Sequence, residues 1–162
     1  MKVLANRHVG IIVHNFDRML DFYIGLGLEL RCRDIEKGQF VERLLNADNI
    51  ILETAKLILQ DESVPIQHRF NLELMKVKNI DSLSKEKQIS IGDFDFKQRK
   101  VGILDIAFTV DDIHLIIKYI TDKGGDLISE PKQSTAGFPA LHSYARDPEG
   151  NVLHIAQNLK EL

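Results

Sequence analysis

The chain repeats one pattern of residues in its two halves, and an internal repeat constrains the fold of a sequence more than any other feature. Residues 8–27 read HVGIIVHNFDRMLDFYIGLG, and residues 105–124 read DIAFTVDDIHLIIKYITDKG, at a constant offset of 97 positions. Each segment first alternates apolar residues as a strand does, then continues with apolar residues at helical spacing and ends at glycine. Asn15 and Asp112 precede the helical stretches and are predicted N-caps. The repeat therefore predicts two copies of one strand–helix unit.

The ends of the two halves correspond as well. Residues 71–77 (NLELMKV) match residues 152–158 (VLHIAQN) at an offset of 81, so the first half is 16 residues longer between its outer strands. The surplus is assigned to residues 39–49, which predict a short additional helix and turn. The predicted fold class is α+β, with two tandem β-α-β-β-β modules. The predicted strands lie at 5–14, 28–36, 50–60 and 69–77 in the first module and at 101–110, 126–130, 140–146 and 151–157 in the second.

Residues 78–100 separate the two modules. This stretch is charged and poor in large aliphatic residues, which is typical of a linker. Its end, at 91–96, carries two phenylalanines that could cover a pocket, although an ordinary surface crossover explains them as well. We predict a single domain over residues 1–162, because each half is too small to bury a sizeable core alone. The modules are placed at about 5–77 and about 101–158.

Composition excludes several classes of function. The 21 basic and 24 acidic residues give a net charge of −3, without the strongly basic surface of a nucleic-acid-binding protein. No apolar run approaches the roughly 18–20 residues that a membrane helix needs. Cys32 is the only cysteine, so an internal disulfide cannot form and a reducing cytoplasm is expected. We expect a cytoplasmic protein that binds neither nucleic acid nor a membrane, in which Cys32 is a small buried apolar residue.

Four polar residues occupy equivalent positions of the repeat. His8 and Asp105 open the first strands of the two halves, and Glu73 and His154 lie between aliphatic residues in the last strands. A carboxylate or imidazole is costly to bury without a partner, so the four are predicted to be partners of one another. Two imidazoles and two carboxylates suit one divalent metal ion, such as zinc, nickel, cobalt, manganese or ferrous iron. A lone histidine in a strand is more often a hydrogen-bonded structural residue, and the metal hypothesis therefore depends on the repeat.

The same residues carry a family resemblance. The motifs are HVGIIV at 8–13 followed by a capped helix, LEL at 72–74, DIAFTVDD at 105–112 and RDPEGNVLHI at 146–155. With them the chain resembles the vicinal oxygen chelate superfamily, which includes glyoxalase I, methylmalonyl-CoA epimerase, extradiol dioxygenases, and fosfomycin- and bleomycin-resistance proteins. Glyoxalase I-like and methylmalonyl-CoA epimerase-like members are nearest in pattern. The resemblance implies that the two curved sheets form a cup around one metal ion, and that the protein is a homodimer.

The resemblance assigns the metal ligands by position. Metal-binding members have the order His, Glu, His, Glu, and the corresponding residues here are His8, Glu73, Asp105 and His154. The second half therefore carries Asp where His is usual and His where Glu is usual. This exchange keeps two histidines and two carboxylates, which favours a working site over a decayed one. It leaves the identity of the metal open.

A function follows from the resemblance as an expectation. Glyoxalase-like lyases, isomerases and epimerases act on a small oxygenated metabolite, stabilising an enediolate by a Lewis acid and moving a proton. Glu73 is the predicted base and His154 the alternative. A strand beside the site carries three further predicted substrate contacts, which a solvated strand face would explain equally well: His142, Tyr144 and Arg146.

Two other functions remain possible at this stage. One is a metal-free protein that sequesters a drug-like molecule, as bleomycin-resistance proteins do. The other is an Fe(II) extradiol-type dioxygenase, which is disfavoured because its pattern requires His at 105 and Glu at 154. Arg7 and Arg69 lie close to the predicted ligand strands and are expected to form surface salt bridges.

Overall fold

A computed structural model describes the chain at residues 1–2, 4–66, 69–78, 102–134, 137 and 139–159. The chain divides into two compact units, Met1–Ser84 and Lys85–Leu162. The predicted linker 78–100, with its 91–96 segment, lies outside the described residues except for Lys78. No helix within the described parts is long and apolar enough to cross a membrane.

The first unit is a four-stranded sheet in the order β1-β4-β3-β2. β1 runs parallel to β4, and the other pairs are antiparallel. The predicted order of elements is confirmed, including the additional helix. The elements are β1 (Val9–Ile12), α1 (Phe16–Gly25), β2 (Leu28–Lys37), α2 (Gln39–Leu45), β3 (Ile51–Leu59) and β4 (Asn71–Val77).

Helix α1 forms where the sequence predicts it. The side chain of Asn15 accepts a hydrogen bond from the backbone N–H of Arg18 at 3.2 Å, so the predicted N-cap is confirmed. The apolar stripe of the helix is buried, since Phe16, Met19, Leu20 and Tyr23 all lie in the core. This packing leaves the other face of the sheet to carry His8 and Glu73.

The second unit has the same strand–helix–strand beginning and the same two closing strands, but β7 stands where the first unit has α2. Its sheet has the order β5-β9-β8-β6, with β7 also paired to β8. The predicted strand at 126–130 is shorter than expected, because the N–H groups of Ile128 and Ser129 both donate to the carbonyl oxygen of Tyr144, which ends the regular ladder. The α+β fold class is confirmed in both units. The elements are β5 (Ile106–Thr109), α3 (Ile113–Asp122), β6 (Asp126–Leu127), β7 (Lys132–Gln133), β8 (Ala140–Arg146) and β9 (Val152–Asn158).

Gly125 brings the end of α3 onto the sheet of the second unit. A Cβ atom at this position would lie 2.3 Å from the carbonyl oxygen of Arg146 and 2.7 Å from Cγ2 of Ile120. Both separations are far below van der Waals contact. The backbone at residue 125 therefore packs directly against the end of β8, where a side chain has no room.

Candidate functional site

His8 and Glu73 form a close pair in the first unit. The register of the sheet places both Gly10 and Lys56 beside Glu73. His8, two residues before Gly10, then reaches the same carboxylate, with its Nε2 atom 3.1 Å from Oε2 of Glu73. Lys56 Nζ lies 3.5 Å from the other oxygen, Oε1. Glu73 is 6% exposed, so the carboxylate is buried and balanced by two basic side chains.

The His8–Glu73 pair fits a divalent metal in its donor types and spacing. Bonds from such metals to histidine nitrogen and carboxylate oxygen are roughly 2.0–2.2 Å long, so two adjacent ligands lie about 3 Å apart. The observed separation of 3.1 Å is compatible with that spacing and is equally that of a direct hydrogen bond between the two side chains. Lys56 satisfies the second oxygen, so Glu73 would offer one oxygen to a metal ion.

In the second unit, His154 lies within a cluster of three other polar residues. Tyr144 is directly opposite His154 in the β8–β9 ladder, and their rings stack with centroids 4.7 Å apart. His142 Nδ1 lies 3.0 Å from His154 Nε2, so one imidazole donates and the other accepts. The Tyr144 hydroxyl is hydrogen-bonded to Asp105. Tyr144 therefore links Asp105 and His154, because its hydroxyl group is bonded to the first and its ring stacks on the second.

Burial shifts two pKa values in this cluster. The pKa of His154 is lowered, mainly because burial disfavours its charged form and also because of repulsion from His142, while Asp105 opposes the shift. The pKa of Tyr144 is raised by burial and then by the negative charge of Asp105. At neutral pH His154 is neutral and Tyr144 keeps its proton. The imidazole can then accept a proton or a metal ion.

The structure pairs the predicted ligands within each unit, His8 with Glu73 and Asp105 with His154 by way of Tyr144. Of the predicted substrate contacts, His142 and Tyr144 join the His154 cluster. Within the described residues, no group of three or more His, Cys, Asp or Glu side chains is placed to hold a metal ion.

Arg146 makes different contacts from its strand neighbours. It is 2% exposed, and its Nε and Nη2 atoms donate to Asp126 at 2.9 and 2.6 Å. The predicted contact with a substrate has no support from this geometry. Alternation along the strand suggested that Arg146 shares the role of His142 and Tyr144, but the carboxylate on β6 binds its guanidinium.

The sequence analysis missed a basic cavity of about 360 Å³ in the first unit. Arg7 and Arg69 were expected in surface salt bridges; none is seen for either among the described residues, where Arg69 Nε donates to the carbonyl oxygen of Val64 at 2.8 Å and the positive charge of Arg69 helps to lower the pKa of Asp61. Cys32 is only partly buried and lines the cavity. The basic residues come from four separate segments, so only their arrangement in the folded unit could have revealed them. The lining consists of Arg7, His8, Arg31, Cys32, Lys56, Ile66, Arg69 and Asn71.

The family of the chain is decided by a match to a family model. The model of the glyoxalase/bleomycin resistance protein/dioxygenase superfamily matches residues 7–142, most of the chain. The chain belongs to this superfamily. The resemblance carried by the sequence motifs, to the vicinal oxygen chelate superfamily, is thereby confirmed.

Solved structures of the glyoxalase superfamily share the fold. A glyoxalase family protein from Bacillus cereus is 22% identical with a TM-score of 0.79, over 99% of this chain and 97% of that one. Glyoxalase I from Zea mays is 20% identical with a TM-score of 0.60, over 96% of this chain but only 45% of that one. A glyoxalase family protein from Enterococcus faecalis is 18% identical with a TM-score of 0.53, over 93% of this chain and 95% of that one. No curated protein matches the chain significantly in sequence.

Proposed function

We propose that this glyoxalase superfamily member is a metal-dependent lyase or isomerase, or an epimerase, that acts on a small oxygenated metabolite. In this proposal His8 and Glu73 hold a divalent metal ion in the first unit. Asp105 and His154 are the donors that the repeat assigns to the second unit. The protein is expected to be a homodimer, as the family resemblance implies.

The observation that carries the proposal is the buried carboxylate of Glu73 beside His8. A buried carboxylate between Leu72 and Leu74, both fully buried, is costly for the fold unless it has a function or a full set of partners. His8 Nε2 lies 3.1 Å away and Lys56 Nζ lies 3.5 Å away. These contacts hold the Glu73 carboxylate in one orientation, which a metal ligand and a proton acceptor both require.

The chemistry proposed is proton transfer at a carbon next to a carbonyl group. A bound divalent ion would supply a Lewis acid that polarises the carbonyl oxygen. The second oxygen of Glu73, Oε1, which Lys56 contacts only at 3.5 Å, takes the proton from the carbon. The electron pair of the broken C–H bond leaves the carbonyl oxygen negatively charged, as an enediolate. The proton then returns to a neighbouring carbon or to the opposite face. The neutral imidazole of His154 is the alternative acceptor.

A metal-free binding protein is the second candidate function. Lys56 already pairs with Glu73, and His142 already pairs with His154 at 3.0 Å, so these donor atoms have partners within the chain. The stacked rings of Tyr144 and His154 offer a flat surface to an aromatic ligand. These contacts favour sequestration of a small molecule in the manner of bleomycin-resistance proteins.

Metal uptake separates the two functions. Protein purified without chelator and reconstituted with zinc, nickel, cobalt or manganese is expected to bind about one ion per chain, measured by elemental analysis and calorimetry. The substitutions His8→Ala and Glu73→Gln each remove a ligand and are expected to weaken metal binding more than about tenfold. Absence of stoichiometric metal after reconstitution would refute the enzyme proposal and favour the binding protein.

The matched control is Glu53→Gln. Glu53 is also a buried carboxylate, on β3, but the register places it on the face of the sheet opposite to Glu73. Metal binding is expected to survive this substitution. For the proton transfer itself, hydroxy ketones and thioesters in deuterated water are expected to incorporate deuterium at the carbon next to the carbonyl, and Glu73→Gln should stop it.

A further inference from the structure

We propose that the basic cavity of the first unit binds the oxyanion group, a phosphate or a carboxylate, of a small hydroxylated molecule. The assignment of this molecule as the substrate rests on the proposed function, because the cavity is lined by His8, the histidine that contacts Glu73. At about 360 Å³ the cavity lies at the lower end of the range of small-molecule sites, which suits a metabolite of modest size.

The charge of the cavity is the first argument. Four lining residues are cationic, namely Arg7, Arg31, Lys56 and Arg69, and no described lining residue is acidic. Lys56 is paired with Glu73, which leaves three arginines without an ion pair among the described residues. The chain as a whole carries a net charge of −3, so this cluster of positive charge is opposite in sign to the whole protein. Like charges gathered around one space repel one another. An anion placed in the cavity relieves that repulsion.

The free donors are the second argument. The side chains of Arg7 and Arg31 are exposed and make no hydrogen bond or ion pair with any part of the chain that the structure describes. Arg69 uses its Nε atom for the carbonyl oxygen of Val64. A guanidinium offers five N–H donors in a planar fork that matches the oxygens of a carboxylate or phosphate. Three guanidinium groups therefore face the cavity with donors to spare.

Asn71 supplies the third argument. Its side-chain oxygen Oδ1 is buried and accepts no hydrogen bond, alone in this respect among the described residues. A buried acceptor without a donor is unfavourable, and a ligand hydroxyl group in the cavity would satisfy it once the Asn71 side chain turns its oxygen toward the cavity. A small molecule that carries both an anionic group and a hydroxyl group would therefore suit the cavity.

Titration of the metal-free full-length protein tests this inference. The protein is treated with EDTA and titrated with inorganic phosphate and, separately, with lactate, while amide chemical shifts and heats of binding are recorded. At least one probe is expected to bind saturably, to shift amides of β2, β3 and β4, and to bind more weakly as ionic strength rises. Tighter binding of phosphate would indicate a phosphorylated substrate, and tighter binding of lactate a hydroxy acid.

Charge-removing variants identify the site. The double substitution Arg7→Gln and Arg31→Gln is expected to weaken binding by about tenfold or more, because it removes two charge-assisted contacts. Replacement of the same residues by Lys should retain part of the affinity. The control Arg43→Gln removes an exposed charge on α2 and should leave binding unchanged.

Two results would overturn the inference: no saturable binding of either probe, or equal affinity in wild type and the double Gln variant. The test is independent of the proposed function, because no metal is present. Anion binding by a protein that takes up no metal would support the anion site and refute the metal-dependent enzyme. Metal uptake without anion binding would support the enzyme proposal and refute the anion site.

Discussion

Arg146 is the largest fully buried side chain among the described residues. Its charge is balanced within the second unit. The carboxylate of Asp126 accepts hydrogen bonds from Nε and Nη2 of Arg146, at 2.9 and 2.6 Å. Taking two charges out of water is costly, and only close, paired geometry repays it. This ion pair therefore ties β6 to β8.

Removal of this guanidinium is expected to destabilise the fold strongly. Arg146→Ala should lower the free energy of unfolding by about 3–5 kcal/mol, because the carboxylate of Asp126 is left buried and unpaired. Urea denaturation followed by circular dichroism measures the loss. Lys118→Ala is the control: it breaks the Lys118–Asp122 pair on α3, whose side chains are 70% and 59% exposed, and it should cost less than about 1 kcal/mol. Equal costs for the two variants would contradict the assignment.

Glu53 gives a pH-dependent contribution to stability. Its pKa is lowered chiefly by the hydrogen bond from Arg33, at 2.5 Å from Nη2 to Oε1, against the opposing effect of burial, with Lys78 adding a second contact. A carboxyl group whose pKa is lower in the folded state stabilises the fold at pH values above its ordinary pKa. That contribution is lost as the pH falls through the lowered value.

Comparison with Glu53→Gln isolates this contribution. The difference in unfolding free energy between wild type and variant is expected to be largest near neutral pH and to shrink in acid, once Glu53 is protonated in both the folded and the unfolded state. Urea melts at a series of pH values between 2 and 7, spanning the usual carboxyl range, measure it. A difference that stays constant across that range would show that the ion pair does not stabilise the fold.

Some contacts of the candidate site could be predicted from the sequence, and others could not. The repeat registers His8 with Asp105 and Glu73 with His154, and His8 and Glu73 do meet. The contact between His142 and His154 depends on the diagonal pairing of two strands, which residue spacing alone does not specify. The cavity lined by Arg7 was missed for a similar reason, since Arg31 and Lys56, which also line it, lie on two other strands.

At the level of elements, the two repeated helices begin as their sequences predict. Asp112 accepts hydrogen bonds from the backbone N–H groups of His114 and Leu115 at 2.9 and 3.0 Å, which caps α3. Capping is a local property of a few consecutive residues, so it can be inferred without knowledge of the fold. The ends of β6 could not be inferred, because they depend on which carbonyl of β8 receives the N–H groups of Ile128 and Ser129.

The cap of α3 can be tested by a pair of substitutions. Asp112→Ala removes the acceptor and should lower the free energy of unfolding by about 1 kcal/mol, whereas Asp112→Asn keeps an acceptor oxygen and should lie close to wild type. Thermal and urea melts provide the measurement. Equal stability of the Ala and Asn variants would mean that the hydrogen bonds to His114 and Leu115 contribute nothing.

For the whole molecule, the repeat alone predicted the order of strands and helices in each unit, and the match to the superfamily model confirms the family. Connectivity is predictable because each module must bury one helix stripe and one sheet face. Sheet registers and cavities arise from contacts between distant segments, so they had to be observed. The short β7 strand, which departs from the common pattern of the two modules, has no counterpart in the first unit.

The tight packing at Gly125 limits how far the two halves of the repeat can be alike. The offset of 97 makes Leu28 its counterpart, and Leu28 is a buried leucine in the first unit. A leucine at position 125 would not fit, because its Cβ atom would overlap the carbonyl oxygen of Arg146. The two halves are therefore not interchangeable at this junction, since a side chain that the first unit buries has no room at the equivalent position of the second.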